Sequence, residues 1–172
     1  MRSHHSGFTL LELVVTIAIL AVLTSLALPS FNSVVANNRL ATAANETLAA
    51  MMLARSEAFR SGRRVVVCTS SNASTCDASG AWSDGWIVFV DADSDGDRNG
   101  AETVLRVGPA VSGMTISGAG GAENAIVFTS RGATTIASGS PTVTFGISGY
   151  PRRELIVTPT GRVSISKGAD YP

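Results

Sequence analysis

FTLLELVVTIAILAVLTSLAL, residues 8–28, is the stretch that decides the fold of this chain. The run is almost wholly apolar, and it is as long as the roughly 20 residues that a helix needs to cross the hydrocarbon core of a bilayer. It contains one acid, Glu12. A carboxylate inside an apolar span costs on the order of 2.5–3.5 kcal/mol, and a simple signal peptide or anchor gains nothing from that cost. The stretch therefore indicates a function that needs the charge.

The residues around the acid resemble the signature of type IV prepilins. In that signature a glycine precedes a phenylalanine, an acid follows shortly after, and a long apolar run leads to a proline. Gly7, Phe8, Glu12 and Pro29 stand at those positions here. The resemblance implies that a prepilin peptidase cuts between Gly7 and Phe8 on the cytoplasmic side and then methylates the new N-terminus.

The same resemblance assigns the N-terminal segments. Residues 1–7 are the predicted cleaved leader, and residues 8–29 are the predicted transmembrane and assembly helix. Arg2 before the apolar run favours a cytoplasmic N-terminus and an exported remainder. The implied role of Glu12 is to neutralise the N-terminal ammonium of a neighbouring subunit, because charges in a low dielectric are tolerated only as a pair. A cleavable signal peptide is the alternative, and it leaves Glu12 unexplained.

A segment with periodic apolar residues follows the apolar run and covers residues 30–62. Apolar residues recur there every three to four positions, which predicts an amphipathic helix with one face on a core. We expect this helix to continue from the apolar run through Pro29, because proline can kink a helix without ending it. Gly62 is the predicted C-cap. The predicted core face consists of Val34, Leu40, Ala44, Leu48, Met51, Ala54 and Phe59.

Residues 63–172 are predicted to form a β-rich head domain. Short β-branched runs alternate there with Gly, Ser, Asp and Pro, which is typical of antiparallel strands and tight turns. The predicted fold class is α+β, with a long N-terminal helix packed by its C-terminal half on antiparallel sheets. The predicted strands are RVVVCT (64–69), GWIVFVD (85–91), TVLRVG (103–108), MTIS (114–117), AIVFTS (125–130), TVTFGI (142–147), ELIVTP (154–159) and RVSIS (162–166).

This order of segments narrows the resemblance. A helix followed by VVVC, GWIVFVD, VLR and a terminal PTGRVSIS is similar to the minor pilins and pseudopilins of the FimT/FimU/GspH family. The implied function is structural: a minor type IV pilin that joins other subunits in a pilus. Its implied location is the inner membrane with a periplasmic head, and later the extracellular filament. Two alternatives remain open, a DNA-binding minor pilin for DNA uptake in natural transformation and a GspH-type pseudopilin of type II secretion.

Cys68 and Cys76 are the two cysteines of the chain. An exported domain is oxidised, so a disulfide closing a short loop is expected. In the chain-entropy model, a disulfide that closes a loop of this size stabilises the folded state by roughly 2–3 kcal/mol. Two buried free thiols are the alternative, which the polar TSSNAST between them disfavours. Within the family that the chain resembles, the pair favours the pilus members over the secretion member.

Enzyme activity is not expected. Both histidines, His4 and His5, lie in the predicted leader. The mature chain would therefore lack serine–histidine or cysteine–histidine catalysis and histidine-ligated zinc. The formal net charge is zero, so any affinity for nucleic acid has to come from a local patch.

One segment of the sequence suggests a cation-binding site. DADSDGDRNGAE, residues 91–102, matches the ligand pattern D-x-D-x-D-G-x5-E of an EF-hand calcium loop. An EF-hand loop joins two helices, whereas this one joins two predicted strands, and a polar hairpin is the alternative. The predicted calcium ligands are Asp91, Asp93, Asp95, Asp97 and Glu102.

The C-terminal part of the sequence suggests DNA binding. The resemblance to FimT-like proteins implies DNA capture through a Gly-Arg-x-Arg motif. Gly161 and Arg162 match that motif, and Ser164 replaces its second arginine. The alternative is a solvated rim of scattered arginines. The predicted DNA-contacting residues are Arg131, Arg152, Arg153, Arg162 and Lys167.

Overall fold

The structure is a computed structural model that describes residues 8–100 and 102–172, and for residues 26–30 it describes the secondary structure alone. The predicted leader 1–7, with the cleavage residue Gly7, lies outside the described residues. The chain divides into a unit that ends at Ala36 and a second unit, Asn37–Pro172. This division falls later than the predicted boundary after residue 29.

A single helix, α1, runs from Leu10 to Ser61. The prediction that the helix continues through Pro29 is therefore confirmed. Gly62 ends it as predicted: its φ of 68° is left-handed, and its N–H donates to the carbonyl of Ala58 at 3.1 Å. Glycine adopts this conformation without the steric cost that a Cβ would add.

The core face of α1 in the second unit is built mainly from alanine. Short side chains let the helix backbone approach the sheets closely. The predictions that Val34 and Phe59 face the core were wrong, since Val34 is 52% exposed and Phe59 is 70% exposed while Ala58 is fully buried. Residue 58 lies one turn beyond buried Ala54, whereas residue 59 is rotated about 140° from it. The buried positions are Leu40, Ala43, Ala44, Thr47, Ala50, Met51, Ala54 and Ala58.

Among the described residues, eight strands form two four-stranded antiparallel sheets, which confirms the predicted α+β class. The first sheet has the order β3-β2-β1-β5 and the second has the order β4-β6-β7-β8. Each predicted run contributes a strand, with ends that shift by a few residues. The strands are β1 Arg64–Thr69, β2 Trp86–Asp91, β3 Val104–Gly108, β4 Thr115–Ala119, β5 Ala125–Phe128, β6 Thr142–Gly146, β7 Pro151–Val157 and β8 Val163–Asp170.

The first sheet is buried on both faces around β1. Val65 and Val67 belong to the main core, which also contains the alanines of α1 and inward residues of both sheets. Val66 and Cys68 point to the opposite face and pack with residues of β2 in a second apolar cluster. Alternate side chains of a strand face opposite sides. A wholly apolar strand such as VVVC is therefore stable only where both sides are covered.

Candidate functional site

The apolar side chains at the start of α1 are exposed on every side of the helix. Exposure ranges from 81% at Leu10 to 49% at Val15. Fully burying such a side chain is worth about 1.5–3 kcal/mol. A helix that is apolar all round needs an apolar environment outside its own chain. The exposed members are Phe8, Leu10, Leu11, Leu13, Val14, Val15, Ile17, Ile19, Leu20, Val22 and Leu23.

No helix among the described residues is both long and apolar enough to cross a membrane. The predicted span 8–29 includes residues 26–29, whose side chains lie outside the description. The transmembrane assignment of that segment therefore stays a prediction.

Three hydroxyl groups in this apolar stretch are satisfied by the helix itself. Each donates to a backbone carbonyl about one turn earlier: Thr16 to Leu13 (2.8 Å), Thr24 to Leu20 (2.8 Å) and Ser25 to Val22 (2.7 Å). A hydroxyl without a partner is costly in apolar surroundings. Because these three have partners, the segment can enter lipid or a protein core without losing hydrogen bonds.

Glu12 lies in the first turn of α1. Thr9 immediately precedes the helix, and its Oγ1 accepts the N–H of Glu12 at 3.2 Å. A carboxylate in the first turn is favoured by the positive end of the helix dipole. The side chain is exposed, and no ion pair of Glu12 is found within the described part of the chain. Its carboxylate is therefore available to a cation from another molecule.

The predicted disulfide joins Cys68 to Cys76 with a Cα–Cα distance of 5.6 Å. Cys68 is buried in the second apolar cluster, and Cys76 packs against that cluster. Beyond the bridge, Asp77 donates its N–H to the carbonyl of Thr69 at 2.8 Å and accepts the Thr69 hydroxyl at 2.6 Å. The bridge thus fixes a polar loop beside the outer face of the first sheet.

Three of the five predicted calcium ligands come together after β2. One carboxylate oxygen from each of Asp91, Asp93 and Asp95 lies within 4.8 Å of the others. Burial raises the pKa of Asp91, and the charges of Glu102 and Asp95 raise it further. In contrast, the side-chain amide of Asn99 lowers the pKa of Asp93 by hydrogen bonding to its ionised form.

The other two predicted ligands do not belong to this cluster. Glu102 is buried, and its two oxygens accept the N–H groups of Ala92 (2.7 Å) and Asn99 (3.1 Å). This carboxylate closes the loop from inside. Asp97 is exposed, and it donates its own N–H to Asp95 Oδ1 at 2.8 Å.

Asn99 is a residue that the sequence analysis missed. Its Nδ2 lies between Asp93 Oδ2 (3.0 Å) and Asp95 Oδ2 (2.9 Å). Residue 99 is position nine of the calcium-loop pattern, a position that often reaches the ion through water. That signal could have identified it.

The five predicted DNA-contacting residues form two groups rather than one patch. Arg152, Arg153 and Lys167 lie at one end of the β7–β8 pair, where Arg153 is opposite Lys167 in register. Arg152 is neutralised by Glu154, with 2.5 Å between Nε and Oε1. β7 ends at Val157, four residues or roughly 13 Å beyond Arg153, and the β7–β8 turn that carries Arg162 follows it.

The second group surrounds that turn. Gly161 packs directly on Gly132, so the turn lies beside the loop that carries Arg131. Arg55 of α1 ties the two loops together: its Nε donates to the carbonyl of Gly132 at 3.0 Å and its Nη2 to that of Thr160 at 3.2 Å. Arg55 was not predicted, because it lies 77 residues before Gly132 and 105 residues before Thr160.

Comparison with known proteins gives two family matches. The profile described as type II transport protein GspH matches residues 43–161. The profile described as prokaryotic N-terminal methylation motif matches residues 2–28. No curated protein sequence matches the chain.

Two solved structures have a similar fold. One is the type IV minor pilin FimU of Pseudomonas aeruginosa PAO1, with 23% identity, a TM-score of 0.58 and coverage of 76% of this chain and 90% of that chain. The other is the minor pseudopilin EpsH from the type 2 secretion system of Vibrio cholerae. It has 13% identity, a TM-score of 0.51 and coverage of 74% and 96%.

Proposed function

This chain belongs to the GspH family, and we propose that it acts as a minor type IV pilin that a prepilin peptidase processes and that other pilin subunits incorporate into a pilus. Proteins of this family are minor pilins and pseudopilins, which are structural subunits. The observation that carries the proposal is the apolar start of α1, whose large side chains are exposed on every side of the helix. Glu12 lies in its first turn, and no ion pair of Glu12 is found within the described residues.

That geometry suits a helix that moves from one apolar environment to another. Before assembly, residues 8–29 lie in the inner membrane with the head in the periplasm. In the filament the same residues pack against the corresponding helices of neighbouring subunits. The satisfied hydroxyls of Thr16, Thr24 and Ser25 allow both environments. Glu12 then needs one cation, and the N-terminal ammonium of a neighbour supplies it.

A pilus is preferred to a type II secretion system because of the disulfide. Cys68 and Cys76 form a disulfide, and within the family a cysteine pair of this kind favours the pilus members over the secretion member. The pseudopilin role stays as the alternative. Deleting the gene distinguishes the two: loss of surface pili in electron micrographs supports the pilus role, whereas loss of a secreted protein with normal pili supports the secretion role.

Processing gives the first test of the proposal. We expect replacement of Gly7 by leucine to reduce cleavage at least about tenfold, since about 1.4 kcal/mol of lost transition-state fit is enough for that effect. Gly7→Ala is the matched control, because the smaller side chain leaves cleavage largely intact. The measurement is the ratio of precursor to mature protein on a gel, with mass spectrometry of the N-terminus. Normal maturation of the leucine variant, or a mature chain without methylated Phe8, contradicts the proposal.

A DNA-binding minor pilin is the second candidate function. It is favoured by the group formed by Arg55, Arg131 and Arg162, which the packing of Gly161 on Gly132 brings to one end of the head. No ion pair of these three arginines with an acid is found within the described residues. An arginine without an acidic partner can contact a phosphate.

For this candidate we expect the full chain in detergent to bind a short duplex at low salt. Arg162→Gln should weaken binding and lower the slope of log K against log salt by about 0.9. Arg152→Gln is the control, since Glu154 already neutralises that side chain. Fluorescence anisotropy at two salt concentrations measures the affinity and its salt dependence for each variant. Absence of binding at low salt, or equal losses in the two variants, removes the DNA role.

A further inference from the structure

The last residue of β2, Asp91, is a buried carboxylate with one unpartnered oxygen. Asp91 is 1% exposed. Its Oδ1 accepts the N–H of Ser94 at 2.7 Å, but its Oδ2 accepts no hydrogen bond from any described residue. No lysine or arginine nitrogen in the described ranges lies within 4.0 Å of it. Buried carboxylates in proteins are paired, hydrogen-bonded or bound to a metal. The unpartnered oxygen therefore points to a cation that binds here.

Two exposed carboxylates converge on this buried one. Oxygens of Asp91, Asp93 and Asp95 lie within 4.8 Å of one another. Oxygens that coordinate one Ca²⁺ at 2.3–2.6 Å are at most about 5 Å apart. The three carboxylates are thus close enough for one oxygen of each to reach the same calcium ion. A site of carboxylates without nitrogen or sulfur ligands favours a hard cation.

Asn99 and Glu102 have different roles around this centre. The side-chain amide of Asn99 bridges Asp93 and Asp95, where its N–H groups offset part of the repulsion between the carboxylates. Rotation of the Asn99 amide would turn its oxygen, in place of its nitrogen, toward a cation bound between these carboxylates. Glu102 accepts the N–H groups of Ala92 and Asn99 and so holds the two ends of the loop together. It is a positioning residue for the loop.

We propose that this loop is a calcium site in which Asp91, Asp93 and Asp95 are the protein carboxylate ligands. The amide oxygen of Asn99, backbone carbonyls of the loop and water complete the shell of oxygens. With three carboxylates in an open loop, the dissociation constant is about 0.1–1 mM, the range of extracellular calcium modules. The binding itself does not depend on the pilus assignment; only the supply of millimolar calcium depends on the exported location proposed above.

The test uses the full chain in a non-ionic detergent, with calcium chloride as the probe. We expect isothermal titration calorimetry to show one site, and the midpoint of thermal unfolding to rise by about 3–6 °C at ten times the dissociation constant. Magnesium chloride at the same concentration should give a smaller rise, because Mg²⁺ demands a smaller octahedral shell. Absence of any calcium response up to about 10 mM, or an equal response to magnesium, overturns the proposal.

Two variants locate the site. Asp93→Asn changes an exposed side chain and should weaken calcium binding at least about tenfold. Asp91→Asn should raise the unfolding midpoint without calcium, because it removes a buried charge, and it should abolish the rise with calcium. Asp170→Asn, an exposed acid on β8, is the control and should respond like the unchanged chain. Circular dichroism confirms that each variant folds. If folded Asp93→Asn binds as tightly as the control, the proposal is wrong.

Discussion

Replacing Glu12 by alanine is expected to remove the protein from filaments while leaving cleavage at Gly7 and methylation of Phe8 intact. In the filament proposed above, the N-terminal ammonium of one subunit and the Glu12 carboxylate of another would lie among apolar helices. Removing one partner of a buried ion pair costs about 3–5 kcal/mol, because the remaining charge stays unpaired. A loss of 3 kcal/mol corresponds to about a hundredfold decrease in incorporation. The subunit itself should be unaffected, since the Glu12 side chain is exposed.

Three variants separate charge from shape and from general acidity. Glu12→Gln keeps the side-chain volume and should fail like Glu12→Ala, because the ammonium needs a negative partner. Glu46→Ala removes an exposed acid further along α1 and should assemble normally. The measurement is the amount of each variant in sheared filaments by immunoblot, relative to its amount in the membrane. Normal incorporation of Glu12→Gln would show that the charge does not guide assembly.

The elements that the sequence predicts well are those set by local patterns. The continuous helix follows from the apolar run and the periodic segment after it, and Gly62 identifies its end. The strand VVVC was correctly predicted because β-branched runs bounded by turn residues have few alternatives. The disulfide was predicted from the two cysteines and the expected compartment.

The features that the sequence missed depend on contacts between distant segments. Phe59 was assigned to the core because it is large and apolar, but the core face continues through Ala58. The basic residues were grouped by their nearness in sequence. The register of β7 and β8 separates Arg153 and Lys167 from Arg162, and the fold brings Arg55 to that turn instead. The motif pattern likewise assigned Glu102 to the ion, whereas the fold uses it to close the loop.

Gly161→Ala is expected to destabilise the head by about 3 kcal/mol or more. Two costs add at this position. The φ of 76° is left-handed, which costs a residue with a Cβ about 1–2 kcal/mol. In addition, the new Cβ would lie 1.8 Å from the carbonyl oxygen of Gly132, a backbone atom that cannot rotate away. The turn must therefore move off the neighbouring loop, and Arg55 then loses one of its two hydrogen bonds, to Gly132 in the loop or to Thr160 in the turn.

Gly139→Ala is the matched control for this prediction. Its φ of 86° is also left-handed, but nothing lies within 4 Å of the added Cβ. It should cost only the backbone term of about 1–2 kcal/mol. Thermal or urea unfolding of the full chain in detergent measures both variants, and each kcal/mol should lower the midpoint by about 2–4 °C for a chain of this size. Equal losses would mean that the contact between Gly161 and Gly132 contributes nothing beyond the backbone conformation. A larger loss for Gly161→Ala would show that this close approach holds the turn with Arg162 beside the loop with Arg131.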